Sequence, residues 1–213
     1  MTTSPTPEVN EGHDHIEAEV SRLFALVSEG LAGATDALLS GDRAQAQALV
    51  AGDEVVDRIS GEVEDLVRRR LVDAGLVRAE LPYLVAVLQI LPELERSADL
   101  AEHIAQRAGH GLGEEMSPRS RGIVQRMAEV GLEMWRTVAD AYADRAPEAA
   151  SELDEADEEL DALHTSLTAE VARGGMPIAV ATEVTLLARF YERLGDHAVN
   201  LGRRIARMAA GQL

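Results

Sequence analysis

The sequence predicts an all-α protein made of two tandem three-helix bundles, six helices in an internal duplication. Aromatic residues are only 3% of a chain rich in Ala, Leu, Val, Glu and Arg, a composition that favours helices over β-sandwiches. No stretch shows convincing period-2 alternation, whereas apolar residues recur at helical spacing along most of the length. The two halves also repeat short motifs in the same order. With 213 residues the chain suits one large domain or two of about 100 residues, each able to bury a core.

Residues 1–12 are polar, hold Pro5 and Pro7, and read as a mobile tail. The first repeat is placed at 13–108. Its first helix carries Ile16, Val20, Leu23, Phe24, Val27, Leu31 and Ala34 on one face and ends at Leu39-Ser-Gly-Asp42, a stop followed by an N-cap. A second helix is expected from about Arg43 to Val72, stopping at Ala74-Gly75. The third runs from Pro82, tolerated in a first turn, to Ala108, and Pro92 inside it predicts a kink three residues before Glu95. Residues 109–117 read as a linker, and the second repeat spans 118–210. Ser117-Pro118 is an N-cap with a proline at the first helical position. This fourth helix reaches about Tyr142, Pro147 opens a fifth, and Pro177 after Gly174-Gly175 opens the sixth.

Three matches carry the duplication. Gly41-Asp-Arg-Ala44 pairs with Ala143-Asp-Arg-Ala146, and Asp53-Glu-Val-Val-Asp57 with Asp157-Glu-Glu-Leu-Asp161. Leu94-Glu-Arg-Ser-Ala-Asp-Leu-Ala-Glu-His-Ile104 pairs with Tyr191-Glu-Arg-Leu-Gly-Asp-His-Ala-Val-Asn-Leu201, so both halves hold Glu-Arg-x-x-Asp-x-Ala. Pro92 is the exception near this motif, since its counterpart is Arg189.

Without cysteine there is no disulfide scaffold, thiolate zinc site or cysteine nucleophile. The net charge is −18, and every one of the 20 basic residues is Arg. Such an acidic surface repels nucleic-acid phosphates and anionic lipid, leaving cations and basic protein surfaces as partners. No apolar run reaches the roughly 18–20 residues that cross a bilayer, and Met1 to Asn10 lacks a signal peptide's basic and apolar regions. The expectation is a cytoplasmic protein that neither binds nucleic acid nor inserts into a membrane. Enzyme signatures are missing: no Glu-x-x-His pair, no Gly-x-Ser-x-Gly and no Gly-rich phosphate loop with Lys. A non-enzyme is expected.

The chemistry lies in acids spaced four apart, which share a helix face: Asp53/Asp57, Glu95/Asp99, Asp157/Asp161 and Glu192/Asp196. In a chain with 38 acidic residues such pairs are commonly solvated surface, and Glu54, Glu155, Glu158 and Glu159 offer other registers. Like charges at this spacing cost about 0.2–0.5 kcal/mol per pair. Four carboxylates meeting across a helix interface therefore need Arg, a metal or a proton. Arg96 and Arg193 point about 100° away from the neighbouring Glu and are partial partners at best. All-oxygen clusters suit Mg, Ca, Mn or iron, and His103 and Asn200, one turn beyond each Asp, can complete a shell. His13 and His15 fall in the tail, His164 and His197 read as ordinary partly buried imidazoles, and Met134 and Trp135 as core. Arg68-Arg69-Arg70 reads as a solvated helix end that balances the macrodipole.

On Leu94-Glu-Arg-Ser-Ala-Asp99 and the run Val184-Thr-Leu-Leu-Ala-Arg-Phe-Tyr-Glu-Arg-Leu-Gly-Asp-His-Ala-Val-Asn200, the chain resembles the PhoU family of bacterial phosphate-signalling proteins, over about residues 13–210. The second run is particularly similar to actinobacterial members, in keeping with the all-Arg basic set. The resemblance implies two three-helix bundles in a cytoplasmic, commonly dimeric negative regulator. Such a protein couples the ATPase of the phosphate ABC transporter to a sensor histidine kinase and keeps the phosphate-starvation response off. It implies metal ions (Mg, Mn, Fe or Zn) on Asp53, Asp57, Glu95, Asp99 and His103 in one bundle, and on Asp157, Asp161, Glu192, Asp196 and Asn200 in the other. Two departures stand out. Glu80-Leu-Pro82 replaces the usual Asp-Leu-Arg, which removes an arginine contact, and His103 stands where Asn is usual, which alters metal preference. The alternatives are a metal-dependent enzyme or metal-storage bundle, and an accessory of a secondary phosphate transporter.

Overall fold

A computed structural model describes residues 7–50 and 54–212, with side chains in the first helix from Gly12 onward. Eight α-helices lie among the described residues: α1 (Pro7–Ser40), α2 (Arg43–Val50), α3 (Glu54–Leu71), α4 (Leu81–Gly109), α5 (Leu112–Glu115), α6 (Pro118–Asp144), α7 (Ala149–Ala172) and α8 (Ile178–Ala209). In the first bundle α1, α3 and α4 pack on one another, with α2 on α1 and α4; the second packs α6, α7 and α8. The all-α, duplicated architecture is therefore as the periodicity predicts.

The local signals act as their chemistry dictates. Gly41 takes a left-handed φ of 79° that ends α1. Asp42 then accepts backbone N–H bonds from Ala44 and Gln45, each 3.0 Å, and starts α2. Ser117 accepts from the Ser120 N–H at 3.1 Å ahead of Pro118. Helix α4 runs on through Pro92.

Four expectations need correction. Pro7–Gly12, read as tail, belongs to α1, and residues 1–6 lie outside the described residues; Pro7 sits in a first turn, where its missing N–H costs nothing. In that helix the His13 ring lies 4.2 Å from that of Tyr83. The single second helix is α2 and α3 on either side of residues 51–53, which lie outside the described residues. The 109–117 linker contains α5, with Leu112, Gly113 and Met116 buried. Its seat is specific: a Cβ on Gly113 would stand 1.8 Å from the Leu38 carbonyl oxygen. Arg121 donates to the Gly113 and Leu39 carbonyls, binding α5 and the end of α1 to α6. Finally, Gly12–Ser40 of α1 is long and apolar enough to cross a membrane by length and composition. Here its apolar stripe, from Ile16 through Leu38, is buried in the core.

The two bundles share that core through α1–α6 and α4–α8 contacts. Phe24 of α1 lies 6.4 Å from Trp135 and 5.3 Å from Tyr142 of α6, ring centre to ring centre. Trp135 donates to the Leu194 carbonyl at 3.2 Å, and the hydroxyls of Thr35 and Tyr191 meet at 2.7 Å, so each polar tip taken from water finds a partner. The α4–α8 seam is polar at its centre. Glu93, 5% exposed, holds Arg204 at 3.0 Å and Arg96 at 3.1 Å, with the His197 imidazole 3.8 Å away. His197 Nδ1 meets Ser97 Oγ at 2.8 Å; that hydroxyl donates to the Glu93 carbonyl, so Nδ1 carries the proton. Burial is the main force holding the His197 pKa down, against the pull of Glu93.

Gly113→Ala should lower stability by roughly 3 kcal/mol, because the Leu38 backbone has to move. Urea unfolding followed by circular dichroism measures it, and an unchanged midpoint would show that α5 is not tightly seated.

Candidate metal site

The carboxylates fall in the groove between the second and third long helices of each bundle. In the first, Asp57 comes from α3 and Glu95 and Asp99 from α4, with Asp53 outside the described residues. Burial raises the Glu95 pKa; the Ser60 hydroxyl opposes this, and the charges of Asp57, Glu64 and Asp99 add to it. Asp99 is raised first by burial, then by Asp57, while His103 draws it down. In the second bundle Asp157 and Asp161 come from α7 and Glu192 and Asp196 from α8. Asp157 is pushed up to about 6 by burial and then by Asp161, Asp196, Glu192 and Asp154. Glu192 is likewise raised by burial and Asp196, with Arg189 and His164 opposing.

The register is decided by packing. Asp157 is half-buried while Glu155, Glu158 and Glu159 face solvent, and Glu159 is taken by Arg126 at 2.7 Å. Gly195 makes room for it: a Cβ there would stand 2.8 Å from Asp157 Oδ1 and 2.6 Å from Leu160. Asp57, Asp99, Asp161 and Asp196 are exposed, and Glu95 and Glu192 half-buried. His103 turns toward α8, its ring 5.4 Å from that of Phe190 and its buried Nδ1 without a partner. Asn200 is exposed on α8.

Three neighbours are not assigned to the clusters by the sequence, where His164 reads as an ordinary imidazole and Arg189 only as the counterpart of Pro92. Ser60, three residues after Asp57, is buried, and its hydroxyl lies close enough to Glu95 to favour the carboxylate without reaching hydrogen-bond geometry. His164, three residues after Asp161, occupies the same repeat position and acts on Glu192. Arg189 ion-pairs with Glu192 Oε1, leaving Oε2 buried and unpartnered. Extending the Asp-x-x-x-Asp motif by three residues would have flagged the first two. Arg70 also departs from its reading as solvated: its guanidinium, 13% exposed, bonds Glu80 at 2.8 Å and Asp73 at 3.1 Å and closes the α3–α4 turn.

The donor chemistry fits a divalent cation: clustered carboxylates, raised pKa values, and the orphaned Ser60 hydroxyl and Glu192 Oε2. Among the described residues no three donors converge on one point, so closing round an ion requires side-chain rotation.

Fold and clusters together define a class: duplicated helical-bundle proteins with one carboxylate cluster per bundle. Comparison with known proteins gives the family. A PhoU domain model matches residues 20–108 and 124–205. The chain is 30% identical over 205 residues to the phosphate-specific transport system accessory protein PhoU homolog of Rhizobium meliloti, covering 92% of this chain and 85% of that one. It is 32% identical over 196 residues to PhoU homolog 2 of Mycobacterium tuberculosis, covering 85% and 89%. The crystal structure of PhoU from Pseudomonas aeruginosa superposes with a TM-score of 0.88 at 22% identity, over 95% of this chain and 99% of that one. The chain belongs to the PhoU family.

A pH signature follows from Asp157. Its folded pKa of about 6 exceeds the ordinary 3.8, so between those values the folded protein holds a proton that the unfolded chain releases. Stability from this group is present at low pH and is lost as pH rises through about 6. In chelator-treated protein, Asp157→Asn should be roughly 1 kcal/mol more stable than the parent at pH 8 and equal to it near pH 4. Urea midpoints at the two pH values decide it; a variant weaker at pH 8 would show that the ionised acid supports the fold.

Proposed function

We propose that this chain is a cytoplasmic negative regulator of phosphate uptake and of the phosphate-starvation response. It docks on the ATPase subunit of a phosphate ABC transporter and on a sensor histidine kinase, acting as a homodimer. The observation that carries this reading is the match, over nine-tenths of the chain, to relatives named phosphate-specific transport system accessory proteins. Those relatives are named as accessory proteins, and a Streptococcus pneumoniae neighbour of similar fold as a transport system regulatory protein, rather than as enzymes.

Cations of the Mg, Mn, Fe or Zn group belong to the same proposal. Asp57, Glu95 and Asp99, with Asp53 and His103, would hold one, and Asp157, Asp161, Glu192 and Asp196, with Asn200, another. A bound cation supplies positive charge that cancels the repulsion between the acids. The chain's part is to hold second and third helices at a fixed spacing, so that the outer helix faces keep one shape for a partner. The −18 net charge directs those faces to basic protein surfaces rather than nucleic acid.

Two measurements test this. In a strain lacking the protein, a phosphate-starvation reporter should stay on in high phosphate and be silenced by the returned gene; a reporter that is off without it would sink the regulator. Chelator should lower the melting midpoint by about 3–6 °C, with recovery on adding Mn. An unmoved midpoint would remove cations from the proposal and leave the regulator intact.

A further inference from the structure

We propose that the two carboxylate clusters are unequal cation sites, the one at Asp57, Glu95 and Asp99 binding a divalent cation more tightly than the one at Asp157, Asp161, Glu192 and Asp196. The inference rests on the cation-binding reading above and adds a ranking that the repeated motif alone does not contain. The two halves differ at the residue three before the key glutamate. In the second bundle it is Arg189, whose guanidinium occupies Glu192 Oε1. In the first it is Pro92, and among the described residues no ion pair reaches Glu95, Asp57 or Asp99. The nearby Arg58, Arg68 and Arg96 are spent on Glu62, Glu64 and Glu93.

Binding at the second cluster must therefore break or share an ion pair, and the ion meets a site that already carries a positive charge. At the first cluster no arginine holds Glu95, whose oxygens lie near the Ser60 hydroxyl. That hydroxyl, 1% exposed and without a partner, is a further oxygen donor. Each cluster thus keeps one buried oxygen without a partner, Ser60 Oγ or Glu192 Oε2, that a cation would satisfy, so the ranking rests on the charge of Arg189 at the second cluster alone. The position equivalent to Ser60 is His164, so the second cluster carries an imidazole where the first carries a hydroxyl.

The test is titration of the full-length, metal-stripped protein with Mn(II), with free ion read by electron paramagnetic resonance. Two classes of site are expected, separated by roughly tenfold in Kd. Glu95→Gln with Asp99→Asn should remove the tighter class, and Glu192→Gln with Asp196→Asn the weaker. Arg189→Ala, at a half-exposed side chain, should tighten the weaker class by roughly three- to tenfold. Ser60→Ala should weaken only the tighter one, and circular dichroism checks that each variant is folded. If the tighter class survives loss of Glu95 and Asp99, or Arg189→Ala leaves the weaker class unmoved, the ranking falls while cation binding stands. If no Mn(II) binds at either cluster, the ranking falls together with the cation-binding reading.

Discussion

The buried carboxylate of Glu93 is the constraint on which the arrangement of the two bundles depends. A 5%-exposed charge is tolerable only when paired and hydrogen-bonded, and its partners come largely from the other half of the chain. Arg204 reaches across from α8 to Glu93 and to the Gln89 carbonyl. Any change in the crossing of α4 and α8 would strand that charge. The seam is therefore set by electrostatics as well as by fit, and this fixes which faces of α4 and α8 remain for the acid clusters.

The seam also shows how a duplication diverges. Arg107 and Arg204 are equivalent in the repeat, and each crosses to the partner helix. Arg204 lands on Glu93, whereas Arg107 stacks 4.6 Å over Phe190, the equivalent of Glu93, and pairs with Glu183 at 2.9 Å. One clasp is thus an ion pair to a buried glutamate and the other a cation–π contact flanked by an ion pair, so the pseudo-symmetry is preserved in position and altered in chemistry. The Pro92/Arg189 and Ala98/Gly195 differences belong to the same pattern, and they lie beside the carboxylates.

Much of this was legible in the sequence because it rests on local rules. Helical periodicity, the Asp42 and Ser117 caps and the placement of Pro82 and Pro118 each depend on a few neighbouring residues. The acid pairs were legible because they repeat. What was not legible depends on contacts between distant segments. Nothing near Gly113 reveals that the Leu38 backbone leaves room only for glycine, so α5 read as a linker. Ser60, His164 and Arg189 have ordinary identities, and their significance comes from the helix each happens to face. Arg70 sits in a run of three arginines, and only the return of the chain at Glu80 separates it from Arg68 and Arg69.

The apolar stripe of α1 has a consequence during synthesis. Helices α2 and α3 follow it directly, but its main covering helices, α4 and α6, end only at Gly109 and Asp144, so the stripe leaves the ribosome well before most of its cover exists. At roughly 5–20 residues per second that interval is several seconds. For that time the nascent chain displays a segment that, by length and composition alone, resembles a membrane anchor. Native placement of α1 is thus decided late, by helices contributed from both halves of the duplication.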